Sequence, residues 1–230
     1  MQLDLENGQI LPVNKPLTWT SFDVVKKVRN ILRIKKIGHA GTLDPLAEGL
    51  LILCTGKFTK KIEEIQAQEK EYTGQFTLGQ TTPSFDLETE VDATQDISYL
   101  TEEAILAAAK LFEGKIEQVP PIYSAVKVNG ERAYTLARRG EGAEIKAKTI
   151  DIQLFQITSV ELPLVYFRVV CSKGTYIRSL ARDFGEKLGC GAHLSKLVRT
   201  RIGPYNLDQA LSLEDILHLR KQMLPDESHS

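Results

Sequence analysis

A loop punctuated by glycine and proline runs directly into the wholly apolar segment 50–54, which predicts a buried strand. Gly38 and Gly41 permit backbone conformations that are closed to other residues. Pro45 fixes its own φ and favours an extended conformation for the preceding residue, Asp44. The pattern therefore predicts a core sheet with one carboxylate held in a loop beside a buried strand.

Asp44 has three interpretations at this point. Asp-Pro commonly starts a turn, and a glycine-rich turn before a strand need have no other role. A carboxylate held in place is also a candidate nucleophile or base. A third interpretation pairs Asp44 with Glu48 as the acid and base of a glycoside hydrolase, but spacing along the chain does not establish the two-carboxylate geometry.

The chain has 230 residues, 42% of them apolar, which is enough for one large domain or two small ones. Cys54, Cys171 and Cys190 are odd in number and widely spaced, which favours buried free thiols over disulfides or a zinc site. The N-terminus lacks the features of a signal peptide, and no apolar run is long enough to span a membrane. We therefore expect a cytoplasmic protein without a membrane anchor.

The formal net charge is −1, but the charges are segregated along the chain. Residues 24–36 include six basic side chains and no acidic one, and residues 173–201 include seven basic and two acidic ones. Residues 86–103 include seven acidic side chains and no basic one. This segregation predicts a basic face suited to a polyanion and a separate acidic face, although isolated solvated patches are the alternative.

Hydrophobic periodicity predicts a mixture of helices and strands. A helix capped at Thr20 or Ser21 should bury an apolar stripe, which consists of Phe22, Val25, Val28 and Leu32. The other predicted elements are a strand over 72–78, a helix over 101–112, adjacent strands over 149–158 and 164–172, a helix over 177–188, and a helix beginning at the capping box 212–215.

Residues 120–148 combine turn residues with scattered basic side chains and show no packed periodicity. Insertions of this length tend to be binding loops, and exposed cations suit a phosphate backbone. A solvated insertion without a ligand is the alternative.

Several motifs resemble those of the tRNA pseudouridine synthase B (TruB) family, in the family's order. The longest match is Gly-His-Ala-Gly-Thr-Leu-Asp-Pro-Leu-Ala-Glu-Gly-Leu-Leu at 38–51, around Asp44. The others are Asn-Lys-Pro-Leu-Thr-Trp-Thr-Ser at 14–21, Lys-Glu-Tyr at 70–72 leading to Leu-Gly at 78–79, Pro-Ile-Tyr-Ser-Ala-Val-Lys at 121–127, Gly-Thr-Tyr-Ile-Arg at 174–178, and His-Leu at 193–194 leading to Arg-Thr at 199–200. The resemblance therefore covers most of the chain.

The resemblance implies an enzyme that converts a uridine in the T-arm of tRNA, usually at tRNA position 55, to pseudouridine without a cofactor. It implies a mixed α/β (α+β) fold with a central, mostly antiparallel sheet flanked by helices. We accordingly expect a catalytic domain over residues 1–224 with a basic RNA-binding insertion at about 120–148, followed by a frayed tail over 225–230.

By matching position, Asp44 is implied to be the catalytic aspartate. The resemblance places Tyr72 on the flipped uracil, pairs Arg178 with Asp44, and lets His39 fill the space that the flipped base leaves. It implies that Tyr176 and Leu197 line the same pocket. The basic residues implied or expected to contact RNA are Lys15, Lys70, Lys127, Arg132, Arg138 and Arg139.

One feature departs from the family pattern. Many members carry a further RNA-binding domain, the PUA module, and only about 30 residues follow Arg201, which is too few for one. We therefore expect the basic insertion to carry more of the RNA binding, and the closely related guide-dependent enzymes, which rely on that module, become a disfavoured alternative.

No His/Cys cluster has metal-ligand spacing and no Walker-type loop occurs, so we expect no metal, nucleotide or redox cofactor. The expected partner is the T-arm of tRNA, with no obligate protein partner. Two further functions stay open: a pseudouridine synthase acting on rRNA or mRNA, and a factor that assists folding of the tRNA T-arm.

Overall fold

The structure is a computed structural model that describes most of the chain. The described residues are 4, 7–124, 127–128, 130–133, 135, 139 and 145–223. The predicted RNA contact Arg138 and the predicted frayed tail at 225–230 lie outside them. The chain divides into two compact units, the first comprising Met1–Lys70 with Val198–Ser230 and the second comprising Glu71–Leu197.

The described residues form a mixed α/β fold, as the sequence predicts. The strands are β1 (Ile10–Lys15), β2 (Ile37–Ala40), β3 (Ala47–Thr55), β4 (Lys70–Leu78), β5 (Gln80–Thr81), β6 (Ala93–Thr94), β7 (Gly114–Gln118), β8 (Lys127–Val128), β9 (Glu131–Arg132), β10 (Lys148–Glu161), β11 (Leu164–Cys171), β12 (Ala192–Ile202) and β13 (Tyr205–Asn206). The helices are α1 (Ser21–Leu32), α2 (Ile62–Ala67), α3 (Glu102–Lys110), α4 (Ile177–Leu188) and α5 (Leu213–Gln222), with 3-10 turns at Gly56–Lys61 and Leu207–Gln209.

Strand β3 is central to the first unit, where the strand order is β1, β3, β12. It pairs antiparallel with β1 and also with β2. Leu51 and Leu53 pack with α1 and α5 in one apolar cluster. Leu50, Ile52 and Cys54 pack in a second cluster with Ile202 of β12. Because alternate residues of β3 enter different clusters, the whole run 50–54 is apolar.

Helix α1 begins as predicted, because Thr20 and Asp23 form a reciprocal capping box. The helix buries Val24, Val25, Val28 and Leu32. The predicted burial of Phe22 is wrong, since this side chain is 63% exposed. At 100° per residue, the buried Val24 lies on the side of the stripe opposite to Phe22. The centre of the buried face is therefore shifted away from Phe22, which becomes exposed.

The second unit has the strand order β12, β4, β11, β10, β7. The predicted hairpin of β10 and β11 is confirmed as an antiparallel pair. Five phenylalanine rings pack in one cluster, with centroid separations from 4.2 to 6.3 Å; they are Phe76, Phe112, Phe155, Phe167 and Phe184. These contacts join β4, β10, β11 and α4 in one aromatic core.

The predicted charge faces are only partly correct. In the segment 173–201, Arg178 and Arg199 are buried, while Arg182 and Arg201 form ion pairs with Asp183 and Glu69 respectively. In the acidic segment, Asp86 is buried as well. Sequence charge counts therefore mixed surface charges with internal ones, because a charge with internal partners can be buried.

Candidate active site

The loop between β2 and β3 presents Asp44, which is half-buried. Gly41 has φ of +91°, in the left-handed region that favours glycine, as the sequence predicts. Gly38 does not have a positive φ, so the predicted need for glycine there is wrong; a Cβ atom would lie 2.8 Å from Cδ1 of Ile62, at the flexible end of that side chain. The amide of Ala47 donates to the carbonyl of Asp44 at 3.1 Å and closes a turn.

Ser21 holds the residue immediately before Asp44. Its buried Oγ accepts a hydrogen bond from the Leu43 amide at 2.9 Å and donates one to the Leu43 carbonyl at 3.1 Å. On the other side of Asp44, the Pro45 carbonyl accepts from the amide of Thr18 at 2.8 Å. Thr18 has φ of +68°, which is unusual for a β-branched residue. The main chain is thus fixed on both sides of the carboxylate.

Arg199 holds the beginning of the same loop from strand β12. Its side chain is 1% exposed, and its Nε donates to the Leu50 carbonyl at 2.8 Å. Nη1 and Nη2 donate to the carbonyls of Thr42 and Gly41, each at 3.2 Å. Sequence reasoning missed this role. Arg199 lies two residues after the apolar Leu197 in β12 and therefore on the same face of the strand. This spacing could have indicated an inward position.

Lys15 is the second buried cation beside this loop. It is fully buried, and its Nζ donates to the carbonyls of Trp19 at 2.5 Å, Pro16 at 3.0 Å and Pro45 at 3.5 Å. Burial lowers the pKa of Lys15 to about 8, against the opposing effect of nearby carboxylates, first among them Asp44. Lys15 therefore combines a hold on the loop with a positive charge near Asp44.

His39 lies on β2 and is half-buried. Burial lowers the pKa of His39, and the charge of Arg199 lowers it further, against the opposing effect of the Gly41 backbone. Its Nδ1 is buried and has no hydrogen-bond partner among the described residues. The ring is therefore biased towards the neutral form, which suits stacking and hydrogen bonding to RNA.

In the second unit, Arg178 occupies the first turn of α4 and is 6% exposed. Its Nη1 donates to the Tyr123 carbonyl at 2.9 Å, and its Nε lies 3.7 Å from Oδ2 of Asp86. Asp86 in turn accepts from the Glu88 amide at 2.9 Å. Sequence reasoning missed Asp86 because it stands in a run of acidic residues that otherwise looks solvated.

Gln118 is a further residue that the sequence did not indicate. It is 1% exposed at the end of β7, and its side-chain amide binds both backbone groups of Tyr176. Oε1 accepts from the Tyr176 amide at 2.8 Å, and Nε2 donates to the Tyr176 carbonyl at 3.1 Å. Ser179 adds a bond from its Oγ to the Val119 carbonyl at 2.8 Å. The start of α4, with Tyr176 and Arg178, is therefore held by side chains.

Tyr72 and Leu197 are both buried in the second unit, at 8% and 9% exposure, on β4 and β12 respectively. Tyr176 is half-buried at the N-terminus of α4. The structure thus places Tyr72, Tyr176, Arg178 and Leu197 in the second unit and Asp44 and His39 in the first. The predicted pairing of Arg178 with Asp44 joins the two units and stays a prediction.

Part of the basic insertion forms a short hairpin of β8 and β9, in which Lys127 is opposite Arg132. Arg139 is exposed and pairs with Glu131 at 2.6 Å between Nη2 and Oε2. The contact of these residues with RNA stays a prediction.

Lys70 is buried, whereas a lysine that contacts an RNA phosphate is expected at the surface. It is 6% exposed, and its Nζ donates to the carbonyls of Gln66 and Gln68 at 2.5 and 2.6 Å. The predicted contacts of Lys15 and Lys70 with RNA also stay predictions, and they would require each ammonium group to leave backbone carbonyls.

Within the described part of the chain, no three His, Cys, Asp or Glu side chains are grouped so that they could hold a metal ion. None of the described helices combines the length and apolar composition that crossing a bilayer requires. The three cysteines are free and buried.

Comparison with known families gives two adjoining matches. Residues 29–177 match the TruB family pseudouridylate synthase (N terminal domain), and residues 178–228 match the tRNA pseudouridylate synthase B C-terminal domain. A protein named tRNA pseudouridine synthase B from Parabacteroides distasonis is 54% identical over 220 residues, covering 93% of this chain and 94% of its own. One of the same name from Clostridium tetani is 46% identical over 210 residues, covering 91% and 72%.

Solved structures agree with this result. A chain in a Cbf5-Nop10-Gar1 complex superposes with a TM-score of 0.73 at 32% identity, covering 93% of this chain and 54% of its own. One in an H/ACA RNP bound to a substrate RNA containing 2′-deoxyuridine gives 0.72 at 27% identity, covering 96% and 57%. This chain therefore spans just over half the length of those two.

The fold and these matches define a pseudouridine synthase, an isomerase that acts on uridine in RNA. The chain belongs to the TruB family of pseudouridylate synthases.

Proposed function

We propose that this chain isomerises a uridine in the T-loop of tRNA, at tRNA position 55, to pseudouridine, with Asp44 as the catalytic carboxylate. The name tRNA pseudouridine synthase B, borne by relatives that are 54% identical, supports tRNA as the substrate. The observation that carries the role of Asp44 is its setting, because the peptide groups on both sides of it are bound by Ser21, Thr18, Lys15 and Arg199. A reacting carboxylate needs this fixed geometry, whereas a simple turn does not.

The reaction breaks the bond from ribose to a ring nitrogen of uracil and forms a bond from the same sugar carbon to a ring carbon. The proton on that ring carbon is lost at the end, and the released nitrogen regains one. Asp44 acts at the sugar, either by attacking the anomeric carbon or by removing a sugar proton to give a glycal. The target uridine must first leave the folded arm and enter the protein.

The remaining site roles follow the family resemblance. Tyr72 stacks on the flipped uracil and its hydroxyl serves in proton removal, while Arg178 pairs with the Asp44 carboxylate and orients it. Asp86 supports this role, since it gives Arg178 a partner and restricts its position. His39 occupies the space that the flipped base leaves, and Tyr176 and Leu197 line the pocket.

The basic insertion around β8 and β9 contacts the phosphate backbone of the T-arm in this proposal, and no protein partner is required. The enzyme acts in the cytoplasm, where the free cysteines stay reduced.

The role of Asp44 is tested by Asp44→Asn in a single-turnover assay on a T-arm stem-loop at saturating enzyme. The exchange keeps the shape of the side chain but removes the reactive charge, so pseudouridine formation should fall by about 100-fold or more. Binding measured on filters should change little. Turnover within about tenfold of wild type would make Asp44 a turn residue.

The substrate is tested by mapping pseudouridine in RNA from cells that lack the protein. We expect one dominant loss, in the tRNA T-loop, and restoration by the wild-type chain but not by Asp44→Asn. Scattered losses across rRNA would contradict the tRNA assignment. Recovery of growth by Asp44→Asn without recovery of the modification would instead support a role in RNA folding.

A further inference from the structure

The exposed phenyl ring of Phe22 follows a residue bonded to the proposed catalytic loop and is not explained by the core. It is 63% exposed in the first turn of α1. A single exposed apolar side chain needs no explanation, so its surroundings decide its meaning. The preceding residue, Ser21, binds both backbone groups of Leu43 in the catalytic loop. Phe22 therefore projects from a position directly beside the chain that carries Asp44.

Two more exposed apolar side chains lie on the segment before α1 and on the loop that carries Asp44. Leu17 is 50% exposed and Leu46 is 36% exposed. The bond from the Thr18 amide to the Pro45 carbonyl connects the neighbours of these two leucines. Phe22 and Leu17 thus each adjoin a residue bonded to the loop that carries Asp44 and Leu46.

Beyond Phe22 the same face of α1 is cationic. Lys26 and Arg29 follow Phe22 at intervals of 4 and 7 residues, which places these three on one stripe of the helix, and Arg33 follows the helix as its C-cap with φ of +54°. Lys26 and Arg33 are exposed and Arg29 is half-buried. We call these four residues the α1 stripe. Asp23 is the one acidic residue of the helix, and its carboxylate accepts from the Thr20 amide and hydroxyl in the cap.

We propose that the α1 stripe binds the RNA strand adjoining the flipped uridine, with Phe22 stacked on an unpaired base and Lys26 and Arg33 on phosphates. The proposal rests on the proposed function, since it takes Asp44 as the point where the target nucleotide enters. Flipping a base unstacks its neighbours, and an exposed aromatic ring beside cations is the arrangement that receives such bases.

The charge of the stripe favours RNA over a protein partner. Interfaces between proteins are depleted in lysine and have a mostly apolar centre. The α1 stripe has the opposite composition, with one aromatic residue and three cations. The only carboxylate on the helix is hydrogen-bonded in its N-terminal cap. A polyanion with exposed bases matches this pattern.

The stacking part is tested by measuring the affinity of Phe22→Ala, Phe22→Leu and Phe22→Trp for a T-arm stem-loop. Phe22→Ala should weaken binding by roughly 5- to 100-fold and Phe22→Leu by less, while Phe22→Trp should stay within about twofold of wild type. Single-turnover conversion at saturating enzyme should stay within about threefold in all variants, because the ring does not touch the reacting bond.

The phosphate part is tested by Lys26→Ala with Arg33→Ala. The slope of the logarithm of affinity against the logarithm of salt should become shallower by about 1.4 for two lost contacts to a single strand. The control matched in charge is Arg220→Ala with Lys221→Ala, which removes two cations from the last turn of α5 in the same unit. The control should leave both affinity and slope unchanged.

Two outcomes would overturn the α1 stripe as an RNA site. One is wild-type affinity and salt slope in the Phe22→Ala and Lys26→Ala/Arg33→Ala proteins. The other is a change in oligomeric mass on Phe22→Ala without a change in RNA affinity, which would make the stripe a contact between copies of this chain. Conversion of the stem-loop by the wild-type protein tests the proposed function separately. If the wild-type protein does not convert this RNA, the proposed function is wrong; if it does, the two outcomes above contradict only the α1 stripe.

Discussion

At the scale of single residues, the position of Asp44 depends on side chains that never need to touch the substrate. Arg199 is a buried guanidinium whose three hydrogen bonds go to backbone carbonyls, two of them in the loop before Asp44. Hydrogen bonds from a charged donor contribute roughly 1.5–3 kcal/mol each, about twice a neutral one. Ser21 adds two neutral bonds directly beside Asp44. The loop that carries Asp44 is thus held by hydrogen bonds within the protein alone.

Ser21→Ala should slow the chemical step more than it weakens binding. The substitution leaves the amide and carbonyl of Leu43 without their partner in a buried site, which costs about 1–3 kcal/mol and loosens the chain next to Asp44. We expect a rate loss of about 10- to 100-fold in single turnover, with stem-loop affinity within about threefold. Ser212→Ala is the matched control, because Ser212 also caps backbone groups in the first unit but lies at the start of α5. Equal rate losses in both variants would show a general loss of stability instead.

Lys15 should make stability depend on pH. Its pKa is lowered to about 8 by burial, from the ordinary value of 10.5. Between these values the folded protein has lost a proton that the unfolded chain keeps, so the free energy of unfolding rises with pH. Relative to Lys15→Met, the wild type should gain about 2 kcal/mol between about pH 7 and about pH 10. Denaturant unfolding of both proteins across this range measures the difference, and parallel curves would contradict the lowered pKa.

At the scale of elements, the sequence predicted the ends of helices, because capping depends on residues that are close together along the chain. The cap predicted at Thr20 or Ser21 is confirmed at Thr20, the capping box at 212–215 is confirmed, and the helix predicted over 177–188 ends at Leu188 with Gly189 as its left-handed cap. Phe22 was misplaced because a helical stripe does not say which of its edges meets the core. The partners of Arg199 and Gln118 lie on other elements, and no spacing along the chain encodes such contacts.

Gln118 should position the start of α4 through Tyr176. Gln118→Met keeps the volume but loses both bonds to the Tyr176 backbone, so the first turn that carries Arg178 should shift or loosen. We expect a destabilisation of about 2 kcal/mol and single-turnover conversion about tenfold slower at saturating enzyme. Gln153→Met on β10 is the control, since Gln153 is exposed in the same unit. If Gln118→Met converts the stem-loop at the wild-type rate, Gln118 does not position the start of α4 for catalysis.

At the scale of the whole molecule, a net charge of −1 conceals two uses of cations. Arg178, Arg199, Lys15 and Lys70 are buried and hold backbone or carboxylate groups. Lys26 and Lys27 of α1 and Arg139, Lys146 and Lys148 of the insertion are exposed instead. The family and the placement of Asp44 in its motif were predictable because they depend on contiguous residues. The division between internal and surface cations depends on the fold, so composition could not reveal it.

Catalysis should not need a bound metal, because the chemistry proposed for this chain uses a carboxylate, a phenol and a guanidinium. Extensive dialysis against a chelator should leave single-turnover conversion of a short T-arm stem-loop within about twofold of the untreated enzyme. The short stem-loop matters because full-length tRNA needs magnesium for its own folding, which would lower the rate for a reason unrelated to the enzyme. Readdition of magnesium should therefore restore only activity lost on full-length tRNA. Loss of stem-loop conversion that a transition metal alone restores would contradict this prediction.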